Sequence, residues 1–145
     1  MKQKTIIVSS GTANIGKSMT LSRLGKQLVV AGATTSHTFP KKDYHAYLQY
    51  KGMKIGVQTY GDRQDLVKDG LNAFNAKSCD IIAIASKGYG ATVKAIESFA
   101  LANDYRVIWT SPYRVLDGSI TATDIKDYSA SHLKMMVDDI ISSSL

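Results

Sequence analysis

Near its start the chain reads Gly11-Thr12-Ala13-Asn14-Ile15-Gly16-Lys17-Ser18, followed by Met19. Two glycines flanking four residues, then a lysine and a hydroxyl, are what a phosphate chain needs. The glycines let the backbone curl until successive N–H groups face inward, and a helix that begins there adds the positive end of its dipole. Lys17 is long enough to follow such a cup to the β and γ phosphates, and the Ser18 hydroxyl can take one position on Mg²⁺. Residues 11–19 are therefore the expected nucleotide contacts. Lys17 neutralises charge among them, and Ser18 is a metal ligand.

Phosphoryl transfer asks for more: a carboxylate that orients the metal, a group that positions the nucleophile, and positive charge on the developing transition state. In "MKIGVQTYGDRQD" the acid closing the apolar run is Asp62, and Gln58 stands inside the run where a carboxylate could have been. Asp62 is the first candidate for Mg²⁺, through water. The same residue, with Asp65 three positions on, also reads as the N-cap and acidic first turn of a helix beginning at Arg63. Asp43 is a second candidate behind it, competing with the reading of a solvated loop aspartate. In "SKGYGAT" a second glycine-bearing loop leads into a helix, and Lys87 there is the candidate extra cation, unless it is simply a surface lysine. Arg63 and Arg114 are further candidates for stabilising charge.

These residues must be carried by strands and helices of a definite order. Thr5 to Val8 reads as a short buried strand. After Gly16, Met19, Leu21, Leu24, Leu28 and Val29 follow helical spacing until Gly32. A short strand is predicted over Thr34 to Thr38. Tyr44 to Tyr50 and Met53 to Tyr60 flank Lys51-Gly52, the spacing of a two-residue hairpin. Leu66, Val67, Leu71 and Phe74 mark one face of a helix. Ile81 to Ala85 is a continuous apolar run of the kind found in a strand covered on both faces. A helix over Thr92 to Asn103, a strand over Tyr105 to Thr110, an irregular stretch over Tyr113 to Thr123 and an amphipathic C-terminal helix complete the pattern. The alternation predicts one three-layer α/β domain over residues 1–145, with a mostly parallel sheet and one antiparallel hairpin. Its candidate loops all fall at the carboxyl ends of strands.

The stretch from Gly11 to Ser18 resembles the Walker A motif of the P-loop NTPase superfamily. The resemblance implies a P-loop fold, a nucleoside triphosphate as ligand or substrate, and Mg²⁺. No arginine-rich lid of the type many nucleotide kinases carry is visible, and the N-K-x-D signature of GTPases is absent. ATP is thus the expected nucleotide, with an ATPase or a small kinase-like phosphotransferase as the expected activity. The alternative is a nucleotide-responsive binding module with negligible turnover, acting on a protein or nucleic-acid partner.

Composition bounds these readings. With 18 Lys+Arg against 12 Asp+Glu the net charge is +6, which suits anionic ligands without choosing among them. The tyrosines at 44, 47, 50 and 60 among lysines offer a route to nucleic acid, but strand alternation accounts for them more simply as packing residues. The single cysteine, Cys79, excludes an internal disulfide, and His37, His45 and His132 are too scattered for a zinc site. The apolar run Ile6 to Val8 is too short for a membrane span, so a cytoplasmic protein with no membrane partner is expected.

Overall fold

The computed structural model describes residues 3–11, 17–36, 39, 43–114 and 117–145. Among these residues five strands and four helices follow one another: β1 (Thr5–Ser10), α1 (Lys17–Val30), β2 (His45–Tyr50), β3 (Met53–Gln58), α2 (Gln64–Ala76), β4 (Ile81–Ser86), α3 (Ala91–Asn103), β5 (Arg106–Thr110) and α4 (Ala122–Ile141). The sheet order is β2-β3-β4-β1-β5. β1 runs parallel to both β4 and β5, β3 runs parallel to β4, and only β2 is antiparallel, to β3.

Side-chain alternation divides the sheet residues between two cores. Ile7, Val57 and Ala83, in register across three strands, pack with Leu21, Leu24 and Leu28 of α1 and Leu133, Val137 and Ile140 of α4. Their neighbours Ile6, Val8, Ile82 and Ile84 face Val67, Leu71 and Phe74 of α2 and Ile96 and Phe99 of α3. Both faces of β4 are covered, which is why Ile81 to Ala85 is an unbroken apolar run and every residue of the strand, Ser86 included, is buried. The result is a helix pair on each side of a mostly parallel sheet. Among the described residues no helix is long and apolar enough to cross a membrane.

The hairpin turns at Lys51 (φ 50°) and Gly52 (φ 80°), the pair of positive angles a two-residue connection of this hand requires. Tyr44, Ala46, Leu48 and Tyr50 are buried on one face, as alternation predicts. The strand expected over Thr34 to Thr38 is corrected to a single bridge between Thr34 and Gln49, with residues 37 and 38 outside the described part. Thr34 follows directly on the turn that ends α1, in which Ala33 N–H bonds back to the Leu28 carbonyl. Among the described residues the chain meets the edge of β2 through this bridge and through the Thr35 hydroxyl, which donates to the Tyr47 carbonyl at 2.6 Å.

Candidate functional site

Because β1, β3 and β4 are parallel neighbours, the loops that follow them emerge at one sheet edge. Gly11 leaves β1 with φ 142°, an angle open to glycine, and its N–H donates to the Ser86 carbonyl at 3.1 Å. A Cβ on Gly88 would stand 3.8 Å from the Gly11 Cα, so the loop after β4 runs alongside the chain as it leaves β1. Thr12, Ala13, Asn14, Ile15 and Gly16 lie outside the described residues.

Lys17 opens α1 and is 6% exposed. Its ammonium donates to the Gly11 carbonyl at 3.0 Å, to the Ser86 carbonyl at a long 3.5 Å, and to the Asp62 carboxylate. One cation thus ties together the chain after β1, the loop after β3 and the end of β4. The partners are unequal in burial: the Lys17 side chain is 7% exposed and that of Asp62 is 53% exposed.

Asp62 reaches Lys17 because the loop after β3 is pressed onto β4. A Cβ on Gly61 would lie 1.7 Å from the Ala85 carbonyl oxygen, so no larger residue fits there without moving the loop. The fully buried Gln58 secures the loop from below. Its amide donates to the carbonyls of Tyr60 and Leu66, both at 3.2 Å, and its side-chain oxygen meets His45 Nδ1 at 2.7 Å. The helix-cap reading of Asp62 is corrected: α2 begins at Gln64 and its N-cap is Arg63, without a side-chain cap bond. The Asp62 carboxylate goes to the buried ammonium instead, a stronger partner than an exposed backbone N–H.

Ser18 donates to a different carboxylate, that of Asp43. Asp43 also accepts from the Thr59 hydroxyl at 3.0 Å, while Thr59 Oγ1 accepts from the Tyr44 N–H at 2.9 Å. Tyr44 is anchored in α1, donating to the Ser22 carbonyl at 3.0 Å over Gly25, where a Cβ would collide with the tyrosine oxygen. Burial pushes the Tyr44 hydroxyl up to about 12, against a smaller lowering by its bond to Ser22, so it remains a donor at any physiological pH. Two carboxylates therefore stand at this edge, one on the lysine and one on the serine. Sequence reasoning ranked Asp43 second, and missed Thr59, Gln58 and Gly61 as the residues that position both acids.

Other expected contacts lie further out. Met19 is 44% exposed on the outer side of α1. Lys87 sits half-buried in the loop beside Gly11, a loop fixed by the Ser86 hydroxyl, which donates to the Lys87 carbonyl at 2.8 Å and shares a 3.0 Å bond with Thr92 Oγ1. Arg63 pairs with Asp65 at 2.7 Å in solvent, and Arg114 is exposed. Among the described residues no group of three or more His, Cys, Asp or Glu could hold a metal unaided. A hydroxyl beside a carboxylate, as at Ser18 and Asp43, is an all-oxygen pair of the kind Mg²⁺ accepts when phosphate oxygens and water complete its shell. No family model, curated protein or solved structure matches this chain.

Proposed function

We propose that this chain is a P-loop protein that binds Mg·ATP at the carboxyl edge of its sheet and hydrolyses it or transfers its terminal phosphoryl group. The observation that carries the reading is the Lys17 ammonium, buried where the chain segments after β1, β3 and β4 meet and countered by a carboxylate that is half in water. A buried cation of this kind is costly unless an anion completes it. A phosphate oxygen is the better completion, since it brings more charge and follows from the glycine-lysine-serine spacing of residues 11–18.

In this reading Ser18 and Asp43 would hold Mg²⁺, with Asp62 as the water-mediated neighbour, and the metal would supply charge withdrawal from the phosphate oxygens. Lys17 would hold the β and γ phosphates. Lys87, beside Gly11, would be the second cation. Thr59 and Gln58 would act by positioning the two acids.

The test is a calorimetric titration of a non-hydrolysable ATP analogue with Mg²⁺ into the wild type and Lys17→Ala. Removal of a buried charged donor is expected to weaken binding roughly 100-fold. The fold, read by circular dichroism, is expected to survive, because the orphaned Asp62 is free to hydrate. Equal affinity in the two proteins would contradict the assignment. Phosphate release, measured with and without nucleic acid, then separates an enzyme from a binding module without turnover.

A further inference from the structure

At the amino ends of β3 and β4, the end of the sheet opposite Lys17, lies a cleft of about 480 Å³. That volume falls within the span of small-molecule sites, roughly 300–1,000 Å³. The floor is the hairpin, where Gln49 of β2 and Lys54 of β3 are cross-strand partners. The walls are Thr34 and Ser36, after α1, and Lys77, which caps the end of α2. α2 covers β3 through Phe74, packed over Gly56, but stops at Ala76, so this corner of the sheet stays open.

Charge in the cleft has one sign. Lys54 and Lys77 are exposed, and among the described residues neither ammonium forms an ion pair and no Asp or Glu lines the cleft. Asp80 turns its carboxylate to the Lys54 backbone N–H, at 2.9 Å. The Lys54 ammonium donates to the Lys77 carbonyl at a long 3.5 Å, which brings it to the residue that carries the second cation. The Lys77 ammonium stands 5.8 Å from the centre of the Tyr47 ring. The weak acids of the lining do not supply the missing charge. Burial, and after it Asp80, push the Cys79 thiol up to about 11 against a lowering by Lys54, and burial raises the Tyr47 hydroxyl.

We infer that this cleft binds a small sugar phosphate, with Lys54 and Lys77 on the phosphate and Gln49, Thr34 and Ser36 on the sugar hydroxyls. Two cations without a carboxylate call for an anion of more than one charge, and a phosphate monoester carries nearly two at neutral pH. A lysine holds phosphate as a point charge with three donors, without the planar fork of arginine. Hydroxyls and a primary amide both donate and accept, as sugar hydroxyls do. A hydrocarbon acid would displace the water on these groups without replacing its hydrogen bonds. Tyr47 is the one aromatic side chain in the lining among the described residues, and it meets His45 and Phe74 edge-on, so a base finds no pair of faces to stack between. The inference does not rest on Mg·ATP binding, because Lys17 bonds at the far end of β4, to Ser86, whereas Cys79 lies before that strand begins.

Ribose 5-phosphate and glucose 6-phosphate, titrated calorimetrically at low salt, are the probes, with ribose, glucose and inorganic phosphate as controls. Saturable binding of at least one ester is expected, tighter than that of its parent sugar or of inorganic phosphate. Lys54→Gln and Lys77→Gln are each expected to weaken it about 10-fold, the loss of one charge-assisted hydrogen bond. Both side chains are exposed, so each variant should melt within about 2 °C of the wild type. Gln49→Ala should narrow the gap between the ester and inorganic phosphate. Binding should be unaltered in Lys17→Ala, which removes the other phosphate site. Loss in Lys17→Ala with retention in both cleft variants would overturn the inference. So would the absence of saturable binding by either ester, or inorganic phosphate that binds as tightly as the esters.

Discussion

Two ion clusters in this molecule look alike on paper and differ in construction. At the sheet's carboxyl edge, Lys17 is buried and its one carboxylate partner, Asp62, is half exposed. Behind the hairpin turn, Asp138 of α4 is the shared centre: it accepts from Tyr50 Oη at 2.6 Å, Lys51 Nζ at 3.1 Å and Lys134 Nζ at 2.8 Å. Those three donors come from a strand, a turn and a helix, so losing one leaves two. The Lys17 cluster has no such redundancy in its charged partners, and its anion sits on the wet side where an incoming anion can replace it. A charge with several donors locks a fold; a buried charge with one exchangeable partner fits the binding role proposed above.

The largest expected effect tests what holds Asp62 in place. Gly61→Ala puts a methyl into the backbone of the central strand, at 1.7 Å from the Ala85 oxygen. No side chain can swing away to relieve it, so a loss of about 3 kcal/mol is expected in denaturant unfolding, the upper range for overpacking. The same shift would withdraw Asp62 from Lys17. Wild-type stability for Gly61→Ala would mean that this loop yields freely and that the exchangeable partner is not positioned at all.

A smaller effect of opposite sign is expected at the partner itself. In Asp62→Asn the Lys17 ammonium loses its competing carboxylate, so inorganic tripolyphosphate without Mg²⁺ should bind about fivefold more tightly at low salt, the equivalent of a half-exposed ion pair of roughly 1 kcal/mol. The gain should vanish in the Lys17→Ala background, as a double-mutant cycle would read. Unchanged tripolyphosphate affinity would remove the distinction between the two clusters. With Mg²⁺ present the sign is expected to reverse if Asp62 orients the metal's water.

Much of this arrangement was visible in the order of residues. The unbroken apolar run Ile81 to Ala85 is a strand covered on both faces, and Lys51-Gly52 is a hairpin turn, because each depends on local chemistry alone. The segment at Thr34 failed as a strand because pairing depends on what edge the chain meets, not on β-branching. Asp62 read as a cap for a similar reason: its helix is adjacent in sequence, whereas the ammonium that captures it is 45 residues away. Asp43 lies 25 residues from Ser18 and reaches it only through Thr59 and Tyr44. Spacing singles out residues 11–18, but which carboxylate faces Lys17 and which faces Ser18 is decided by tertiary packing.

The locked cluster gives a change no larger than that of Asp62→Asn, and the one whose pH dependence separates it from the site. Burial pushes the Asp138 carboxyl up, but bonds from Lys134, Tyr50 and Lys51 together outweigh it and bring the group to about 2, well below its ordinary 3.8. A depressed folded value means that the group's stabilisation is fully present above the unfolded value and is lost as pH falls through about 2. Asp138→Asn should therefore cost about 1 kcal/mol at neutral pH, after allowance for solvent screening of a partly exposed pair. The difference from wild type should shrink between about pH 4 and pH 2. Tripolyphosphate affinity should not move, because the residue's partners lie on the hairpin and α4 rather than at the Lys17 edge. A loss of anion binding in Asp138→Asn would show that the two clusters are energetically coupled, and that redundancy of partners does not distinguish a scaffold charge from a binding one.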